Sequence, residues 1–137
     1  MVYRVTYEKK NKYNSKSSYY AGRWFHSVFE ANYARTLDTL KKASNVSERV
    51  VAWWPQFKVS LVVNGDLICN YYVDFKVEYA DGHIELHETK GYETDVWKLK
   101  VKLLEATYLK DNPEVEYKVI KQNGIYKRYN QFKNKSL

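Results

Sequence analysis

The chain has 137 residues, a net charge of +7, one cysteine and no run approaching the ~20 apolar residues of a membrane span. That length suits one domain able to bury about two-thirds of its unfolded surface, so no disulfide staple is needed. Cys69 has no partner for an intramolecular disulfide and fits a reducing compartment, and no apolar run follows Met1, so a cytoplasmic setting without leader or membrane anchor is expected.

The placement of charge says more than its sum. Residues 1–23 carry six Lys/Arg against one acid, Glu8; residues 121–137 carry five and no acid; the stretch between carries twelve against fifteen acids. A single domain over 1–137 is expected, with a basic arm (1–22), a core (23–120) and a basic tail (121–137). Lys9, Lys10, Lys12 and Lys16 are interleaved with Tyr3, Tyr7, Tyr13, Tyr19 and Tyr20, and Lys127 and Arg128 lie among Tyr126, Tyr129 and Phe132. Cations beside stacking rings suit a polyanion, above all nucleic acid. Solvated tails are the plainer alternative.

Along the chain, Val2–Tyr7 reads as a strand and NKYNSKSS as a loop. Val28, Phe29, Tyr33, Leu37 and Leu40 recur at helical spacing, which predicts a helix over 28–43 with Ser27 as N-cap. Trp53-Trp54-Pro55 reads as a loop, its tryptophans suited equally to core, dimer packing or base stacking. Phe57, Val59, Leu61 and Val63 alternate as in a strand, and Asn64-Gly65 signals a hairpin. A second strand follows over 67–79, a tight turn at Asp81-Gly82, a third strand at HIELHETK, a helix over 96–109 capped by Thr94 or Asp95, and a short strand VEYKVI. The pattern predicts an α/β or α+β layered domain, a mixed sheet flanked by helices.

On the third strand Ile84, Leu86, Glu88 and Lys90 share one face, and His83, Glu85, His87 and Thr89 the other. Glu88 and Lys90 thus end an apolar stripe, at the edge of the core. With a turn at Asp81-Gly82, Asp74 falls beside Glu88 or Thr89. Two carboxylates ~4 Å apart repel by about 4 kcal/mol at an effective dielectric of 20. A divalent cation with a taste for oxygen, Mg²⁺ or Mn²⁺, would offset this; so would Lys90 alone, as a structural pair.

Asp74, a hairpin, then Glu88-x-Lys90 resembles the PD-(D/E)XK nuclease signature, with Val73 where a proline often stands and Gly91 closing E-T-K-G. Arg23 to Leu109 also resembles a family of small phage-encoded proteins that joins an S-x-x-E helix start, a D-F strand, an x-x-K-G strand end and a basic helix. Motif order and size are similar to phage Holliday-junction resolvases of the endonuclease I type. The resemblance implies a restriction-endonuclease-like core in the order α-β-β-β-α-β. It implies a metal-dependent DNA endonuclease acting on branched DNA as a homodimer, whose two-fold symmetry supplies paired nicks. It further implies Mg²⁺ (or Mn²⁺) held by Asp74 and Glu88, with the Thr89 carbonyl and Glu30 completing the site directly or through water, and Lys90 positioning the attacking water.

Plainer roles stand beside these. Ser27-x-x-Glu30 is also a capping box. Lys98, Lys100 and Lys102 either meet DNA phosphates or form a solvated face opposite Trp97, Val101, Leu104 and Tyr108. Arg23 meets phosphate or anchors the helix start, and Tyr92 and Glu93 are placed to shape the site mouth. His26, His83, His87 and Cys69 match no zinc spacing, and His26 reads as a surface or DNA-contacting residue. The alternatives are a less structure-selective nickase, a homing or restriction-type enzyme, or a non-catalytic nucleic-acid binder on the same fold.

Overall fold

The computed structural model describes residues 16–122, and 126–129 as backbone alone; the strand expected at Val2–Tyr7 and the arm residues Lys9, Lys10 and Lys12 lie outside them. The elements are β1 (Ser18–Tyr20), β2 (Arg23–Phe25), α1 (Val28–Thr39) with a 3₁₀ turn (Leu40–Lys42), β3 (Val50–Val63), β4 (Asp66–Tyr79), β5 (Ile84–Thr89), α2 (Asp95–Ala106), α3 (Tyr108–Asp111), β6 (Glu116–Ile120) and β7 (Tyr126–Tyr129). β1 and β2 pair as a small hairpin. The other strands make one mixed sheet in the order β3-β4-β5-β6-β7, antiparallel but for the β5–β6 pair that α2 and α3 connect. The fold is α+β, a mixed sheet with helices against it. Neither the β1–β2 hairpin nor β7 was expected: β1 and β7 fall in stretches whose polar, basic composition reads as arm and tail, and β2 opens the expected core.

Local chemistry fixes the helix starts. Ser27 caps α1 by accepting the Glu30 N–H at 3.0 Å, and Thr94, not Asp95, caps α2 by accepting the Trp97 N–H at 3.1 Å. The helix expected to run to Leu109 breaks at Thr107, whose φ of −118° and ψ of −85° are not helical. Trp53-Trp54-Pro55, expected as a loop, lies inside β3. β3 is the edge of its sheet, so the missing Pro55 N–H costs it little. The β3–β4 turn is as expected: Asn64 and Gly65 both take left-handed φ, 51° and 85°, which makes the tight hairpin whose twist matches its strands.

Two apolar layers flank the sheet. Against α1 lie Phe25, Ala31, Ala34, Leu37, Val50, Phe75, Val77 and Tyr79. Against α2 and α3 lie Val59, Leu61, Tyr71, Val73, Leu86, Trp97, Val101, Leu104, Leu109, Tyr117 and Val119. Every buried residue of β4 is odd-numbered, yet Phe75, Val77 and Tyr79 serve the α1 layer while Tyr71 and Val73 serve the α2 layer. β3 changes layer at the same level, Trp53 packing with the first group and Phe57 with the second. The changeover is marked by Gln56, whose φ is +54° in mid-strand, between the Pro55–Phe75 and Phe57–Val73 pairs. The long hairpin is therefore rotated about its axis at Gln56 and Asp74.

One expectation about faces is corrected. Glu85 and His87, placed on a face thought to be polar and open, are buried with α1 across them. His87 bonds the Tyr33 hydroxyl of α1 through Nδ1 at 2.8 Å and Glu85 through Nε2 at 2.7 Å.

The α1 layer gives a direct test. Leu37→Ala is expected to cost about 2–5 kcal/mol in urea unfolding, whereas Leu99→Ala, at a site 60% exposed, should stay within about 0.5 kcal/mol.

Candidate active site

Four side chains from three elements line one open pocket of about 820 Å³: Glu30 of α1, Asp74 of β4, and Glu88 and Lys90 at the end of β5. Pairing explains the meeting. The β4–β5 ladder runs in register to Phe75–His87 and then opens, leaving Asp74 opposite Glu88. In the gap, Asp74 N–H donates to Glu88 Oε1 at 3.1 Å. Thr89 donates to Asp74 Oδ2 twice, from its N–H at 2.9 Å and its hydroxyl at 2.8 Å. Thr89 thus orients Asp74 with its N–H and hydroxyl, in addition to offering the carbonyl expected as a ligand.

Glu30 is held from two sides. Its Oε1 accepts the His26 N–H at 3.1 Å, and its Oε2 accepts from Gln56 Nε2 at 3.2 Å. The capping box is therefore half made: Ser27 caps the Glu30 N–H, but the Glu30 carboxylate reaches back to His26, one residue beyond the expected partner. Gln56 was missed by the sequence reading. A lone glutamine after a proline carries no motif, and its left-handed φ is visible only in the folded chain.

Burial raises the proton affinity of all three acids, and repulsion from neighbouring acids adds to it at Glu30 and Glu88. Glu30, buried and facing Asp74, is pushed up to about 9. Asp74 is raised by burial against the pull of its hydrogen bond with Glu30, of its Thr89 donors and of Lys90. Glu88 is raised well above the carboxylate range by burial and by Asp74. Glu85, on the same strand, behaves oppositely. His87, His83, Lys118 and the Tyr79 hydroxyl all lie within 3.0 Å of its oxygens, and the histidine and lysine partners hold it well below its usual range despite burial. The fold thus completes one buried carboxylate and leaves three short of positive charge.

Lys90 supplies part of that charge without closing on it. Its Nζ lies over the Trp97 ring, 5.2 Å from the centroid. Trp97 is in turn fixed by donating Nε1–H to the Tyr71 hydroxyl at 2.8 Å. Of the cations expected at the mouth, Lys100 and Lys16 line the pocket, while Lys98 and Lys102 are exposed on α2 away from its lining. Arg23, on β2, sits over Phe25 with its Cζ 5.3 Å from the ring centroid. Its charge helps to lower the proton affinity of Glu30. Lys127 and Arg128 fall on β7, and Lys9, Lys10 and Lys12 outside the described residues.

The donor set is all oxygen, which suits a hard divalent cation. Among the described residues no three His, Cys, Asp or Glu side chains stand close enough to grip an ion by themselves. Mg²⁺ asks less than that, since it keeps several waters and takes one or two carboxylates. A pair such as Asp74 and Glu88, now spending oxygens on N–H donors, fits that demand. Also among the described residues, no helix is long and apolar enough to cross a membrane.

Fold and site together define an α+β domain with a carboxylate-rich pocket where a meander opens. The family model described as protein of unknown function (DUF1064) matches residues 10–128, and the chain belongs to that family. Comparison with curated proteins and with solved structures found no match.

The raised acids make stability pH-dependent. Between Glu30's ordinary value of 4.5 and about 9 the folded chain holds a proton that the unfolded chain has released. Its contribution is full at the acid end of that window and is lost as pH rises through it. Melts in EDTA should show Glu30→Gln losing less stability than wild type as pH rises from about 5 to about 9. Taking the difference between the two proteins cancels the contributions of His83, raised, and His87, lowered.

Proposed function

We propose that the chain is a divalent-metal-dependent DNA endonuclease with a site of the PD-(D/E)XK type on a restriction-endonuclease-like core. Branched DNA such as a four-way junction is its substrate and a homodimer its working form. The observation that carries the reading is the meeting of Glu30, Asp74, Glu88 and Lys90 in one open pocket, with the three acids short of counter-charge. The observed element order, helix, three-strand meander, helix and strand, supports it. The junction and the dimer rest on similarity of motif order and size alone.

Asp74 and Glu88 would hold Mg²⁺ or Mn²⁺, with Glu30 behind them. When bound, such an ion polarises a phosphate oxygen and makes bound water more acidic. The chain's own residues do the rest. Thr89 keeps the Asp74 carboxylate turned toward the pocket. Lys90 presents a cation beside the acids, where charge grows on the phosphate. Lys16 and Lys100 at the pocket rim draw the DNA backbone toward it.

Purified protein is to be incubated with Mg²⁺ or Mn²⁺ and a panel of four-way junction, flap, duplex and single strand. Cleavage is expected with metal and absent in EDTA. Glu88→Gln and Lys90→Ala should each lower the rate by about 10²–10⁴-fold or more while DNA binding in EDTA is kept. A near wild-type rate in either variant removes the site assignment. DNA held without cutting under every metal leaves a non-catalytic nucleic-acid binder. Raising salt from ~50 to ~200 mM should weaken binding by about 10³–10⁵ if 6–10 phosphates are contacted, and a flat response removes nucleic acid as partner.

A further inference from the structure

Among the described residues three non-glycine positions have positive φ: Ala21, Asn64 and Gln56. Ala21 and Asn64 each precede a glycine in a two-residue hairpin turn, where such a backbone is demanded. Gln56 does not. It lies within a 14-residue strand, at a φ of +54°. Glycine would turn the strand there without strain, and asparagine with less. A glutamine kept in that conformation points to work for its side chain.

That side chain is aimed into the pocket. Its Nε2 meets Glu30 Oε2 at 3.2 Å, and the other Glu30 oxygen is taken by His26 N–H at 3.1 Å. One donor on each oxygen, from different parts of the chain, fixes the plane of the carboxyl group that also hydrogen-bonds Asp74. Without Gln56, the Oε2 edge of Glu30 would lose its donor from β3. The residue also sits across the hairpin from Asp74, at the level where β3 and β4 change layer. The bend that directs the hairpin and the hydrogen bond that directs Glu30 come from the same residue.

We propose that Gln56 is a positioning residue of this site, held in a left-handed backbone conformation so that its amide fixes the Glu30 carboxylate beside Asp74. Its effect on cleavage rests on the nuclease reading; the strain and the hydrogen bond do not.

Three measurements test it. Gln56→Gly relieves the backbone and removes the amide, whereas Gln56→Ala removes the amide and keeps the strain. The glycine variant should melt about 2–5 °C above the alanine variant, yet both should lose at least tenfold in kcat for DNA cleavage with KM little changed. In nitrogen-15 spectra of metal-free protein, Glu30→Gln should shift the Gln56 side-chain amide resonances. Full cleavage by Gln56→Gly, a glycine variant that melts below the alanine variant, or Gln56 amide resonances indifferent to Glu30→Gln would each overturn the proposal. Should wild-type protein cut no DNA with any metal, the nuclease reading alone fails, and melting order and amide shift still decide the role of Gln56.

Discussion

Beyond the Phe75–His87 pair the backbone ladder between β4 and β5 gives way to side chains. The Asp74 N–H goes to the Glu88 carboxylate and the Thr89 N–H to the Asp74 carboxylate. A buried N–H left unpaired costs about 1–3 kcal/mol, so these carboxylates do a backbone's work as well as their own. They are thereby fixed in place with their charge only partly met. Glu85 and Glu88 show that this is specific to one end of the strand. Three residues apart on β5, both are buried; one is enclosed by histidine, lysine and tyrosine, the other by acids. A domain selected for stability alone would complete both.

The rotation of the β3–β4 hairpin follows from the same region. An unbroken strand with alternating faces would send Tyr71 and Val73 into the α1 layer with Phe75. The left-handed φ at Gln56 turns the outer half so that those residues join Trp97 and Tyr117 instead. Tyr71 then accepts the Trp97 Nε1–H and bonds the Tyr117 hydroxyl at 2.9 Å, closing a polar contact inside an apolar cluster. The pocket opens between α1 and this turned half, which is why its walls include Asn70, Tyr71 and Tyr72 from one side and Ser27 to Glu30 from the other.

What the sequence disclosed followed from short-range rules. Helical spacing and an N-cap serine located α1, alternation and Asn-Gly located the hairpin, and counting back from Asp81-Gly82 placed Asp74 against Glu88. The faces were harder. Glu85 and His87 look like solvent residues on composition, and their burial depends in part on the Tyr33 hydroxyl from α1 and the Lys118 amine from β6. Both partners are remote in sequence, so no local pattern announces them. The same holds for Gln56, whose conformation is imposed by two strands changing layers together. Trp53 and Trp54 misled for the opposite reason: a proline beside them is a strong loop signal, and an edge strand overrides it.

Lys90 shows how a cation can stay near acids without cancelling them. Had it closed on Glu88 as an ion pair, the pair would be a sealed structural bridge, and opening it for a ligand would uncover a buried charge. Among the described residues no carboxylate lies within ion-pair distance of its Nζ; the Trp97 ring takes that place, its π face attracting the ammonium. Lys90 still lowers the proton affinity of Asp74 and Glu88 from that distance. The ring is itself buried in the α2 layer and hydrogen-bonded to Tyr71. An aromatic platform thus holds the positive charge beside the acids without closing on any of them, the arrangement the proposed metal-dependent reading requires.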